Sequence, residues 1–155
     1  MRRNILAIDQ ATKSGYSIYT NGKITKGNVL DLKKALNKHL CFHDTISTLI
    51  EENEITEIVA EDLYNRYSKA VLSLGELRGI LKYIAAIKGI PITFVEPKEH
   101  KYHLTGNEYS SKGDTMEAIK ELGYHFKDDN QADSISIMLY YLNRNHLPIK
   151  HPIEE

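Results

Sequence analysis

The sequence has one cysteine, Cys41, no apolar run as long as a signal peptide or a membrane span, and almost no net charge. Each shortage excludes something. A lone thiol cannot close an internal disulfide, and without a targeting or spanning segment the expected setting is a reducing cytoplasm with no membrane partner. Cys41 itself reads as a small apolar residue of a helix, not as a reactive thiol. The 20 Lys and Arg against 21 Asp and Glu leave a formal charge of −1, so composition gives no electrostatic footprint for a polyanion unless charge is segregated over the surface. Internal repeats, low-complexity tracts and linkers are also missing, which argues against a solenoid or a two-domain chain.

What is present is an ordinary globular composition, 41% hydrophobic and 26% charged over 155 residues, near the common size of one domain. Asn4-Ile-Leu-Ala-Ile-Asp9 is a short apolar run ending in a carboxylate, as expected of a buried central strand. Gly15 to Thr20 and Lys23 to Val29 flank Asn21-Gly22, a two-residue turn signal, and predict a hairpin. Leu32, Leu36, Leu40, Ile46 and Leu49-Ile50 recur at helical spacing and predict a long amphipathic helix over 31–53. Glu57-Ile-Val-Ala-Glu61 repeats the pattern of the first strand, carboxylate included. A second long helix is expected from Ser68 to Gly89, with Gly89 past its end and Gly75 and Gly79 allowing a close approach of a helix or subunit. Pro91 to Val95 reads as the last strand, Pro97 as a helix opener, and 111–122 and 130–143 as helices. Residues 144–155 contain Pro148 and Pro152, lack periodicity and are expected to form a loosely held tail behind a domain of residues 1–143.

Three antiparallel strands, then helix, strand, helix, strand and helices, predict an α/β fold of ribonuclease H-like type, a mixed five-stranded sheet with three antiparallel and two parallel strands flanked by helices. In such a sheet Asp9 and Glu61, 52 positions apart, stand at the ends of buried strands. A buried carboxylate is costly unless a partner replaces its hydration, and two side by side demand a cation. Asp133, at the start of the last helix, is a third candidate. Asn130 precedes it by one helical turn, with Asp128 and Asp129 as neighbouring acids of the helix start. Mg²⁺ favours such oxygen ligands, and paired ions about 4 Å apart suit phosphodiester displacement.

The motifs are familiar. Ile8-Asp-Gln-Ala-Thr-Lys-Ser-Gly-Tyr16 resembles the opening strand and turn of RuvC-type Holliday junction resolvases. Glu61-Asp-Leu-Tyr-Asn and Ser73-Leu-Gly-Glu-Leu-Arg-Gly-Ile80 resemble that family's second catalytic segment. Glu96-Pro-Lys-Glu-His-Lys, Leu104-Thr-Gly, Ser111-Lys112 and Gln131-Ala-Asp-Ser follow in the family's order. The resemblance implies that Asp9, Glu61 and Asp133 are catalytic metal ligands, that Lys101 and Lys112 are catalytic and contact DNA near the scissile phosphate, and that Tyr64, with Tyr67 as companion, stacks on bases. The family's fourth ligand is commonly an Asp or His three residues before the last Asp. Here that position is Asn130, which offers oxygen without charge, so that Asp129 or Asp128 is a rival for the role.

The same resemblance implies a homodimeric endonuclease of DNA recombination and repair, in a bacterial cell or a phage-infected host. It would bind four-way and other branched DNA and hydrolyse it with two Mg²⁺ ions, Mn²⁺ being able to substitute, to leave 5′-phosphate and 3′-hydroxyl ends. The rivals are a ribonuclease H-fold nuclease acting on RNA or a hybrid, and a branched-DNA binding module without cleavage. An actin-like ATPase shares the Asp-turn-Gly pattern, but 155 residues cannot hold its two lobes.

Overall fold

The computed structural model describes residues 2–62 and 69–155, with side chains from residue 72 onward in the second stretch. Five strands form one sheet: β1 (Ile5–Asp9), β2 (Lys13–Thr20), β3 (Lys23–Asp31), β4 (Glu57–Glu61) and β5 (Ile92–Val95). The spatial order is β3-β2-β1-β4-β5, antiparallel from β3 to β1 and parallel from β1 to β5. This is the mixed sheet the sequence predicts. Asn21 and Gly22 turn the hairpin at φ of 54° and 81°, the left-handed pair that a two-residue turn of matching twist requires.

Five helices cover the sheet: α1 (Lys38–Glu52), α2 (Lys69–Lys88), α3 (Pro97–Thr105), α4 (Lys112–Glu121) and α5 (Asp129–Arg144). Strand alternation sends Leu6, Ile8, Ile58 and Ala60 into a core with Phe42 and Ile46 of α1 and Leu77, Leu81 and Ile84 of α2. Ile5, Ala7 and Val59 point the other way, onto Ile137, Met138 and Leu142 of α5. Period two then places Asp9, two residues after Ala7, and Glu61, two after Val59, on the α5 face. The parallel register pairs Ile8 with Ala60, so the two carboxylates end adjacent strands side by side.

Small residues let α5 lie close on this face. An added Cβ on Gly15 would come 2.1 Å from the backbone C and O of Asn130 and 2.3 Å from the amide of Gln131. Two residues along β2, buried Ser17 donates its hydroxyl to the Ser134 carbonyl at 3.1 Å. The last helix is thus seated backbone against backbone on the strand that pairs with Asp9.

Two expectations differ from the structure. The helix predicted over 31–53 begins only at Lys38, with the Asn37 side chain accepting from the Leu40 amide at 2.9 Å as its cap. Strand β3 continues to Asp31, and the Leu32 amide still bonds the Thr12 carbonyl at 2.8 Å, so the seemingly helical Leu32 is core while Leu36 is fully exposed. The tail expected to hang loosely is laid against the body. Tyr19 donates to the Pro148 carbonyl at 2.6 Å, the Lys150 amide to Gly22 at 2.8 Å and the Ile153 amide to Leu122 at 3.1 Å, while Leu147 and Ile149 join the core beneath α5. Gly79 meets no described atom within 4 Å of an added Cβ, so no close approach among the described residues accounts for it. Among the described residues no helix is long and apolar enough to cross a membrane.

Candidate active site

Four carboxylates on the α5 face receive two treatments. Glu57, at the start of β4, accepts from Arg3 at 2.7 and 2.9 Å and from the Tyr141 hydroxyl at 2.6 Å, and the Arg3 guanidinium holds it below the usual carboxylate range. At the other end of the strands Asp9, Glu61 and Asp133 form no such pair with an Arg or Lys among the described residues. Burial, with the charges of Glu61 and Asp133 beside it, pushes Asp9 well above the ordinary range, although Lys112 opposes the rise. Asp133 is pushed up to about 6, again by burial and then by Glu61, against the opposing charges of His100, Lys101 and Lys112. That Asp9 and Asp133 would both rather hold protons than their charges marks a place short of positive charge.

The lysines are in place but do not fill that need. Lys112, the first residue of α4 after its Ser111 cap, bonds Asp129 at 2.8 Å, and this pair raises the lysine and lowers the aspartate. Its charge still reaches Asp9 and Asp133. Lys101 is half-buried on α3 and faces Asp133 closely enough to favour its ionised form. At the start of α5 the three rival side chains divide their tasks. Asp128 is the N-cap, accepting from the Gln131 amide at 3.0 Å with Lys13 at 3.5 Å, and Asp129 is engaged by Lys112. The helix starts at Asp129, and Asn130 is its second residue, with no bond of its amide oxygen to another described residue. Tyr64 and Tyr67 lie outside the described residues.

One residue of the site escaped the sequence reading. His100 on α3 is completely buried, with Nε2 2.8 Å from Glu61 Oε2 and Nδ1 2.8 Å from the hydroxyl of buried Ser136. Its signal was faint: a histidine just before Lys101, four residues from the inward Leu104, inside a segment that drew notice for its lysine. Glu61 is further fixed through its backbone carbonyl, which accepts from Gln10 Nε2 at 2.8 Å. The next acid, Asp62, turns to the other face, where it meets Arg78 at 3.2 Å.

Among the described residues no group of three or more His, Cys, Asp or Glu side chains is gathered closely enough to hold a metal ion by itself. The donor chemistry nevertheless fits Mg²⁺, which takes few protein oxygens and keeps several waters. Half-buried carboxylates at the ends of the strands and on the last helix provide such oxygens.

Fold and site together define a nuclease of the ribonuclease H-like class, with acids at the ends of the two central parallel strands and a third on the last helix. Residues 4–140 match the family described as crossover junction endodeoxyribonuclease RuvC. The chain belongs to this family of hydrolytic endonucleases. A relative of that name from Pseudothermotoga lettingae is 33% identical over 99 residues, 61% of each chain, so that this match spans less than two thirds of the relative. One from Syntrophomonas wolfei is 26% identical over 92% of this chain and 90% of its own. The structure of Thermus thermophilus RuvC superposes with a TM-score of 0.75 at 16% identity, covering 92% of this chain and 96% of that one. The same protein in complex with Holliday junction substrate gives 0.80 at 15% identity, over 92% and 94%.

Proposed function

We propose that this chain is a junction-resolving endonuclease that hydrolyses one strand of four-way or related branched DNA, with residues 1–143 as its nuclease domain and the cytoplasm as its place of work. The observation that carries this reading is the convergence of Asp9, Glu61 and Asp133 on one face of the sheet, where burial and mutual repulsion push Asp9 and Asp133 upward. These three residues, with the Asn130 oxygen as the remaining candidate, would hold the metal. When bound, a pair of Mg²⁺ or Mn²⁺ ions supplies positive charge to the attacking and leaving oxygens of an in-line displacement that leaves a 5′-phosphate and a 3′-hydroxyl.

The protein's own part is positioning and electrostatics. Lys112 and Lys101 place fixed charges beside the acids, where they orient the scissile phosphate and offset the negative charge that grows in the transition state. Asp129 keeps Lys112 directed at the cluster. Tyr64 and Tyr67 are proposed as base-stacking residues. A homodimer would set two such sites on opposite strands, and the exposed apolar side chains of α2, Leu72, Tyr83 and Ile87, together with uncovered Gly79, support that helix as the contact.

The test is cleavage of synthetic four-way junctions, with duplex and RNA–DNA hybrid controls, by wild type and Asp9→Asn in Mg²⁺. Junction cutting by the wild type alone is expected. Equal cutting by both proteins would refute the assignment of the site, and preference for the hybrid would refute the substrate.

A further inference from the structure

His100 is the only one of the seven histidines that is fully buried. Both ring nitrogens are engaged at 2.8 Å by side chains from two other elements, Glu61 at the end of β4 and Ser136 on α5. The Nε2 contact has the geometry of an N–H donated to a carboxylate oxygen. Ser136 lies one helical turn beyond Asp133, so its hydroxyl anchors the imidazole to the same helix that presents the third acid. Glu61 Oε1 is left without a hydrogen bond to any described residue.

We propose that His100 is a positioning residue for the metal-binding acids. Its Nε2–H fixes one oxygen of Glu61 and thereby sets the carboxylate's direction relative to Asp133 before a cation arrives. The proposal rests on the reading of Asp9, Glu61 and Asp133 as cation ligands. A carboxylate with one oxygen already bonded loses less rotamer freedom when the other takes a metal, and outer partners of ligands commonly account for about 10–100-fold in metal affinity. Packing alone would require only a side chain of similar volume, whereas positioning requires a donor at the place of Nε2. The two roles therefore separate on substitution.

Mn²⁺ binding to the metal-free protein, followed by electron paramagnetic resonance of the free ion, reads the effect without turnover. Wild type is compared with His100→Ala, His100→Gln, Ser136→Ala and Asp9→Asn, each checked for folding by thermal unfolding. His100→Ala is expected to weaken Mn²⁺ binding about 10–100-fold. The amide NH₂ of His100→Gln can reach the place of Nε2 and should restore most of the loss, while Ser136→Ala, which frees the ring to turn, should cost a few-fold. Wild-type affinity in His100→Ala and Ser136→Ala, with binding lost in Asp9→Asn, overturns the inference and leaves the function standing. Equal weakening by Ala and Gln also overturns it. If His100→Ala does not fold, unchanged binding in Ser136→Ala is sufficient to reject the proposal. Unchanged binding in Asp9→Asn removes the cation site itself and the inference with it.

Discussion

Asp133→Asn is expected to make the metal-free protein more stable, not less. The carboxyl of Asp133 is pushed from 3.8 to about 6 by burial and by Glu61. Folding therefore favours its protonated form by about 3 kcal/mol. Because the folded value lies above the unfolded one, the native state binds the proton more tightly. The penalty from this one group is absent below about pH 4, grows as pH rises toward 6, and is full above that. A neutral isostere escapes the penalty. In the presence of EDTA at pH 8, urea unfolding should show a gain of up to about 3 kcal/mol for the mutant, and heating a rise in Tm of roughly 6–12 °C for a chain of this size. At pH 4.5 most of the gain should be gone. Adding Mg²⁺ should narrow the difference at pH 8, since the wild type gains by binding and the mutant binds more weakly. A mutant no more stable than wild type at pH 8 in EDTA, or a gain that does not shrink on acidification, would refute the reasoning that the cluster's charge is uncompensated.

Two other substitutions probe the frame around the site. Gly15→Ala puts a methyl 2.1 Å from the backbone of Asn130, which no side-chain motion can relieve, so a loss of about 3 kcal/mol or more in denaturant unfolding is expected together with reduced junction cleavage. Wild-type stability in this variant would show that α5 can retreat freely. Deleting residues 146–155 removes the bonds from Tyr19 to Pro148 and from Lys150 to Gly22 and uncovers Leu147 and Ile149's neighbours, and should cost about 2–4 kcal/mol by the same measurement. No change would mean that the tail rests on the body without supporting it.

Much of the fold was legible because local signals and tertiary needs agree. Ile5 to Ile8 is apolar on both faces because helices cover both, and Asn21-Gly22 can take the two left-handed conformations its turn needs. The start of α1 was misread because Leu32, Leu36 and Leu40 imitate a helix stripe, although the first lies in the core beyond a strand and the other two face solvent. Asp9, Glu61 and Asp133 stood out as acids at the edges of apolar segments, a local anomaly that can be seen without coordinates. His100 shows no such anomaly, since its partners lie 36 and 39 positions away on other elements. The ordered tail was hidden for the same reason. Its hydrogen bonds reach back to β2, as from Pro148 to Tyr19, and prolines with no periodicity say nothing about a docking place 129 positions earlier.

The seat of α5 on Gly15 also bears on how such a molecule tolerates change. Gly15 pairs with Asp9 across the ladder and touches the backbone of Asn130 and Gln131, just before Asp133. The interval between the first acid and the third is thus measured in main-chain atoms, which every substitution elsewhere leaves as they are. Side chains in the surrounding cores can be exchanged for others of similar bulk while this gauge keeps its length. An architecture shared at a TM-score of 0.80 with a chain only 15% identical is the kind of persistence that such a gauge permits.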